Sequence, residues 1–196
     1  MTRHIAIVQG PPDPARHHLL HAMADAYAEA ATAAEHEVRR IEVAKLEFPL
    51  LRTQGDFETG ALPPGLEQAR EDMRWTEHWV FLFPLWHGTM PALLRGYLEH
   101  IFRPGFAMGI QEGGLSEAAA GRALRPHNRH HGHAGASLPV VFRRVWRSRF
   151  RGSEHSMLGF AGIKPIRENF YGLCFADEKK RSRWLDEMRD YGRRAR

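Results

Sequence analysis

The chain has 196 residues, 43% of them hydrophobic and 26% charged, a size and balance that suit one globular domain, residues 1–196, with a full core and exclude a disordered or fibrous chain. The formal net charge of +5 is uneven: residues 1–98 carry 9 Lys and Arg against 13 Asp and Glu, and residues 99–196 carry 19 against 10. One cysteine, Cys174, excludes an intramolecular disulfide and points to a reducing, cytoplasmic setting, and no apolar run approaches membrane-spanning length, so no membrane insertion is expected.

In chain order, His4-Ile5-Ala6-Ile7-Val8-Gln9 reads as a first strand, with no secretory leader ahead of it. Gly10 to Pro14 is a turn, and Asp13-Pro14 reads as an N-cap followed by Pro at the first helical position. Leu19, Leu20, Met23 and Tyr27 then recur at helical spacing in an Ala-rich run. Val38 to Val43 is a second strand, which completes a βαβ unit with parallel pairing and a right-handed crossover. Phe48 to Pro64 is irregular, and Leu66 to Thr76 is a helix.

Trp79 to Phe83 is a charge-free run, as expected of a strand buried on both faces. Pro84 ends it, a loop with Trp86, His87 and Gly88 follows, and Pro91 opens an amphipathic helix that runs to about Phe102. In open α/β sheets the crevice beyond the carboxyl ends of the strands takes ligands, so this loop is the first candidate site. Arg103 to Gly109 is a loop, Phe170 to Phe175 an apolar strand, and Asp177 starts a last helix with Trp184, Leu185 and Met188 on one face. Arg193 to Arg196 reads as a fraying basic tail.

Arg122 to Ser137 breaks the pattern. A fourth parallel strand is due there, but the text is rich in His and Arg, which are costly to bury without partners. Three readings stay open. The segment is a surface loop, with Leu138 to Phe142 as a short strand. The His cluster holds a metal, although no familiar ligand spacing is present and no metal is expected. A pair of compensating one-nucleotide shifts, near residues 125 and 138, has replaced a strand.

Several stretches then carry a resemblance: Ile7-Val8-Gln9-Gly10 with Pro12-Asp13-Pro14, Phe83-Pro84-Leu85-Trp86 with Met90 to Leu94, Phe102-Arg103-Pro104-Gly105-Phe106-Ala107, and Leu158 to Ile163 with Pro165. In this order and spacing the chain resembles the flavodoxin-like NAD(P)H:quinone oxidoreductases. The resemblance implies an α/β flavodoxin-like fold, a five-stranded parallel sheet of order 2-1-3-4-5 with helices on both faces and an atypical fourth-strand region. It implies bound FAD or FMN, NAD(P)H as donor, a quinone or similar acceptor, two-electron ping-pong hydride transfer and a homodimer. A basic nucleic-acid-binding module is a third reading of the Arg-rich C-terminal half, but no nucleic-acid partner is expected because no nucleic-acid motif accompanies the charge.

Carried over by position, Pro84, Leu85, Trp86, His87 and Gly88 match the loop against the flavin ring. Arg16, His17 and His18 fall in the turn that holds the cofactor phosphates, where helix N-termini favour anions. Gly135 and Ser137 are the nearest candidates for the loop after strand four, Phe106 and Phe142 match substrate-pocket positions, and His155 is the candidate catalytic histidine. Phe106 is equally a core or dimer-packing residue. The alternative function is a non-catalytic regulatory or degenerate relative with weak or no flavin binding.

Overall fold

The chain runs from β1 (His4–Gln9) through α1 (Leu19–Ala33) to β2 (Glu37–Glu42). A short α2 (Gln54–Glu58) and α3 (Glu67–Trp75) lead to β3 (His78–Leu82), and α4 (Ala92–Ile101) follows. Next come a hairpin of β4 (Gly109–Gln111) and β5 (Gly114–Ser116), then β6 (Ala136–Pro139), β7 (Ile166–Asn169) and α5 (Glu178–Arg194). This computed structural model describes residues 2–15, 18–104, 106, 109–111, 114–116, 136–139, 158, 166–169, 171 and 176–196.

Five strands form one sheet in the order β2-β1-β3-β6-β7, and each neighbouring pair is parallel. This is the expected 2-1-3-4-5 order. The middle of the sheet is apolar on both faces because both are covered. Ile5, Ile7, Val80 and Leu82 belong to one core with Met23 and Tyr27 of α1 and Trp184 and Met188 of α5. Ala6, Val8, Trp79 and Phe81 alternate with them and belong to a second core with Met73 of α3 and Leu94, Tyr97, Leu98 and Ile101 of α4. Each large apolar side chain so buried contributes about 1.5–3 kcal/mol.

Helices α1 and α5 meet almost backbone to backbone. A Cβ at Gly192 would collide with the Tyr27 carbonyl oxygen, and the Ala-rich face of α1 permits the approach. This contact corrects the expected fraying of the tail. The helix runs through Arg194, and Ala195 caps it in the left-handed conformation with only 4% of its surface exposed.

Other boundaries differ from the sequence reading for physical reasons. Asp13 does not cap a helix. Its carboxylate accepts from the Ala15 N–H at 2.9 Å and meets the His18 ring at 2.8 Å, a local turn that delays α1 until His18 can be its N-cap. The hairpin β4–β5 begins at Gly109, the last residue of the expected Arg103–Gly109 loop. The fourth strand starts at Ala136, two residues before the expected Leu138. The fifth strand is Ile166–Asn169, ahead of the expected Phe170–Phe175, most of which lies outside the described residues. An outermost strand need not be apolar, and Arg167 is exposed there. Cys174 and most of the His/Arg-rich run also lie outside the described residues.

The irregular stretch 46–61 is laid along α4. Phe48 packs edge-on to His100 with ring centres 5.6 Å apart, and the His100 Nε2–H donates to the Pro49 carbonyl at 2.6 Å. One turn on, the buried Arg103 guanidinium donates to the carbonyls of Phe57 (2.9 Å), Ala61 (3.2 Å) and Gly60. Those carbonyls lie at the end of α2, whose start is closed by a reciprocal Thr53–Asp56 capping box.

Two predictions follow from these contacts. Arg103→Met removes three charge-assisted bonds and leaves carbonyls unpaired, so it should cost about 2–4 kcal/mol. It should also speed limited proteolysis between residues 52 and 62, read by mass spectrometry of the fragments.

His78 is 1% exposed, neither ring nitrogen has a partner, and its ring stacks on Tyr27. Burial, with added repulsion from Arg3, Arg167 and His36, pushes its pKa down from 6.5 to about 3. The unfolded chain therefore takes up a proton here from about pH 6.5 downward, and the folded chain does so only near pH 3. The stability is fully present above pH 6.5 and is lost on acidification, by about 2 kcal/mol at pH 5. Urea unfolding at pH 7.5 and 5 should show a gap that narrows by about this amount in His78→Phe, which removes two unpaired nitrogens and keeps the stacking.

Candidate functional site

β1 and β3 lie side by side, but their crossovers leave on opposite faces, α1 on one and α4 on the other. Between their carboxyl ends lies the topological switch point at which open α/β sheets take ligands. Gly10 sits there. Its N–H donates to the Leu82 carbonyl at 2.8 Å, and a Cβ on it would stand 2.6 Å from Leu94 Cδ2. A side chain there would have to push the Leu94 side chain of α4 aside.

Beyond β3 the chain makes a four-residue turn. The Trp86 N–H donates to the Thr89 carbonyl at 2.9 Å, and the Thr89 N–H returns the bond at 3.1 Å. His87 has φ 50° and Gly88 has φ 81°, the positive pair that a type I′ turn requires. The turn's own hydrogen bonds use Trp86 and Thr89, which leaves the His87 and Gly88 N–H groups outside them. Leu85 packs onto the core, while Trp86 is 52% exposed and one of two exposed large apolar side chains among the described residues. An exposed aromatic ring is thus carried on a hydrogen-bonded turn beyond the carboxyl end of β3.

Two helices begin at this carboxyl edge of the sheet. α1 starts at Leu19 and α4 at Ala92, and neither has an acidic residue in its first turn or a side-chain cap. Their partial positive charges favour an anion at this edge. Asp13, the carboxylate that precedes α1, is occupied by Ala15 and His18. Beneath the start of α1, His21 Nδ1 lies 2.9 Å from Gln9 Oε1. Both side chains are 2% exposed, and the Gln9 Nε2 and His21 Nε2 atoms have no partner.

Of the expected residues, Pro84, Leu85, Trp86, His87 and Gly88 follow one another beyond β3, and His18 is the N-cap of α1. Arg16, His17, Gly135, Phe142 and His155 lie outside the described residues. Ser137 is within β6, opposite Val80, and not in the loop after that strand as expected. Phe106 corrects another expectation. It is 3% exposed, lies 6.3 Å from the Phe102 ring and has the Arg74 guanidinium over its face at 5.3 Å, so the core alternative describes it. Gln9 and His21 were missed. The only sequence signal was a lone amide closing an otherwise apolar strand.

Residues 3–191 match the model of the flavodoxin-like fold family. The chain belongs to that family. Among curated proteins, a ribosyldihydronicotinamide dehydrogenase-like protein of Penicillium crustosum is 44% identical over 46 residues, 24% of this chain and 16% of that protein. Among solved structures, an NAD(P)H:quinone oxidoreductase from Methanothermobacter marburgensis is similar with a TM-score of 0.75 at 18% identity, over 98% of both chains. An FMN-dependent NADH-azoreductase from Bacillus anthracis, solved with FMN, has a TM-score of 0.65 at 13% identity over 99% of both. At these identities the structural likeness is one of fold. Among the described residues no helix is long and apolar enough to cross a membrane.

The turn yields a prediction. A β-branched residue at a positive φ is strained by about 1–2 kcal/mol, so His87→Val should lower the melting temperature by about 2–8 °C. His87→Gly should leave it unchanged or raise it.

Proposed function

We propose that the chain is a flavin-dependent NAD(P)H:acceptor oxidoreductase that passes two electrons to a quinone or a similar small acceptor. The observation that carries this reading is the Trp86–Thr89 turn, held at the end of β3, at the edge where two helices begin without an acid in their first turn, in a chain of the flavodoxin-like family. When bound, FMN or FAD supplies hydride acceptance and release, and the protein supplies position and electrostatics.

The residues present fit that group. The α1 N-terminus, with His18, Arg16 and His17 before it, takes the phosphate. The His87 and Gly88 N–H groups donate to the polar edge of the ring system, and Pro84 and Leu85 line its approach. Trp86 shields one side from water and offers a stacking face. NAD(P)H and the acceptor use the same crevice in turn, a ping-pong exchange. His155 is the proposed group for balancing charge there, Phe142 a proposed acceptor contact, and Gly135 and Ser137 proposed contacts from the fourth strand. Leu50 and Trp86, both exposed and apolar, support a homodimer.

The test is the visible spectrum of the purified protein with FMN and FAD added in turn. A retained yellow chromophore that bleaches anaerobically with NAD(P)H and recovers with a quinone is expected. A folded, colourless protein that takes up neither flavin would overturn this reading in favour of a non-catalytic relative. Trp86→Ala should weaken flavin binding about tenfold and leave the melting temperature of the flavin-free protein unchanged.

A further inference from the structure

α5 buries Trp184, Met188 and Gly192 and turns its opposite side to water. At about 100° per residue, Lys179, Arg183, Asp186 and Asp190 fall within about 60° of one another on that outer side. They make a stripe of two cations followed by two acids. Lys179, Arg183 and Asp186 are exposed and Asp190 is half-buried. The acids are held only by arginines of their own helix, Asp186 by Arg189 at 2.7 Å and Asp190 by Arg194 at 3.0 Å and Arg193 at 3.7 Å. The Lys179 and Arg183 side chains have no ion pair or hydrogen bond among the described residues. Both also stand in the first half of the helix, where the dipole disfavours cations. Neither a partner in the fold nor the helix itself favours them there.

The stripe is symmetric. Lys179 is as far from Arg183 as Asp186 is from Asp190, so turning α5 end for end about the point between Arg183 and Asp186 lays Lys179 on Asp190 and Arg183 on Asp186. A two-fold interface needs this self-complementarity. We propose that the outer face of α5 docks antiparallel on α5 of a second copy, with Lys179 paired to Asp190 and Arg183 to Asp186, each pair made twice. Each aspartate can accept a second cation, because an ionised carboxyl has two oxygens. A parallel docking would set Lys179 on Lys179 and Asp186 on Asp186, and like charges repel. The face is separate from the homodimer contact proposed above: α5 covers the α1 side of the sheet, and Leu50 lies beside Gly96 of α4 on the other. Gly192, near the end of α5, lies against Tyr27 and Ala31 in the second half of α1, and the Arg193 carbonyl is 3.3 Å from the His36 Nε2 atom beyond that helix. The two helices therefore run the same way and both begin at the carboxyl edge. An antiparallel α5 pair turns the two candidate sites to opposite ends and leaves each open, and it needs no flavin.

Exposed ion pairs are individually weak and are screened by salt, so the association is salt-sensitive. Sedimentation velocity of the full chain at ionic strengths of about 0.01 M and about 1 M compares screening lengths of about 30 and 3 Å. The sedimenting mass should be at least twice as large at the lower ionic strength. Lys179→Glu with Arg183→Glu makes the stripe wholly acidic, and Asp186→Lys with Asp190→Lys makes it wholly basic. Each double variant should keep the high-salt mass at both ionic strengths, and an equal mixture of the two should regain the low-salt association. Both variants keep a net positive charge, so unspecific attraction between them does not produce that recovery. A folded double variant that associates as the natural chain does, or a mixture of folded variants that stays apart, would overturn the proposal. So would a natural chain whose mass does not rise at low salt, whether or not the variants fold.

Discussion

Burial of β3 on both faces is the constraint from which the rest of this structure follows. Trp79 and Phe81 point to one core and Val80 and Leu82 to the other, so helices must cover both sides, and parallel strands need crossovers to bring them there. Once both faces are closed, polar chemistry is left with the sheet's ends. The carboxyl end is the one at which α1 and α4 both begin, and it is the one that the Trp86 turn caps.

That edge is prepared electrostatically by what is missing as much as by what is there. Capping residues with side-chain oxygens would have satisfied the two helix starts internally. Instead α1 begins on His18 and α4 on Pro91, neither of which caps through its side chain, and Asp13 is drawn into a turn of its own. Arg103 illustrates the opposite arrangement at the far end of α4. There three carbonyls of the 57–61 loop are held by one guanidinium, and the segment is structural.

The fold was legible where the sequence states a period or a breaker clearly. β1, β3 and the helix after Pro91 fall within a residue or two of their expected limits, and the 2-1-3-4-5 order follows from the resemblance. Legibility failed where a polar group had two possible partners. Asp13-Pro14 has the composition of a helix start, but the His18 ring competes for its carboxylate. Phe106 has the composition of a site residue, but Phe102 and Arg74 enclose it. The outer strand β7 was missed because an edge position lifts the demand for apolar residues. At the site, the loop could be found from Pro84, Trp86 and Gly88 alone. The Gln9–His21 pair could not, since no spacing rule joins a strand's last residue to the third residue of the following helix.

The contact of Gly192 with the Tyr27 backbone joins two helices, α1 and α5, that lie far apart in the sequence. The core behind Ile5, Ile7, Val80 and Leu82 is incomplete until α5 arrives, and closing so long a loop is slow. During synthesis the helix that presents the anion-favouring edge therefore waits, half covered, until α5 has left the ribosome. Maturation of the site is thereby coupled to the arrival of α5.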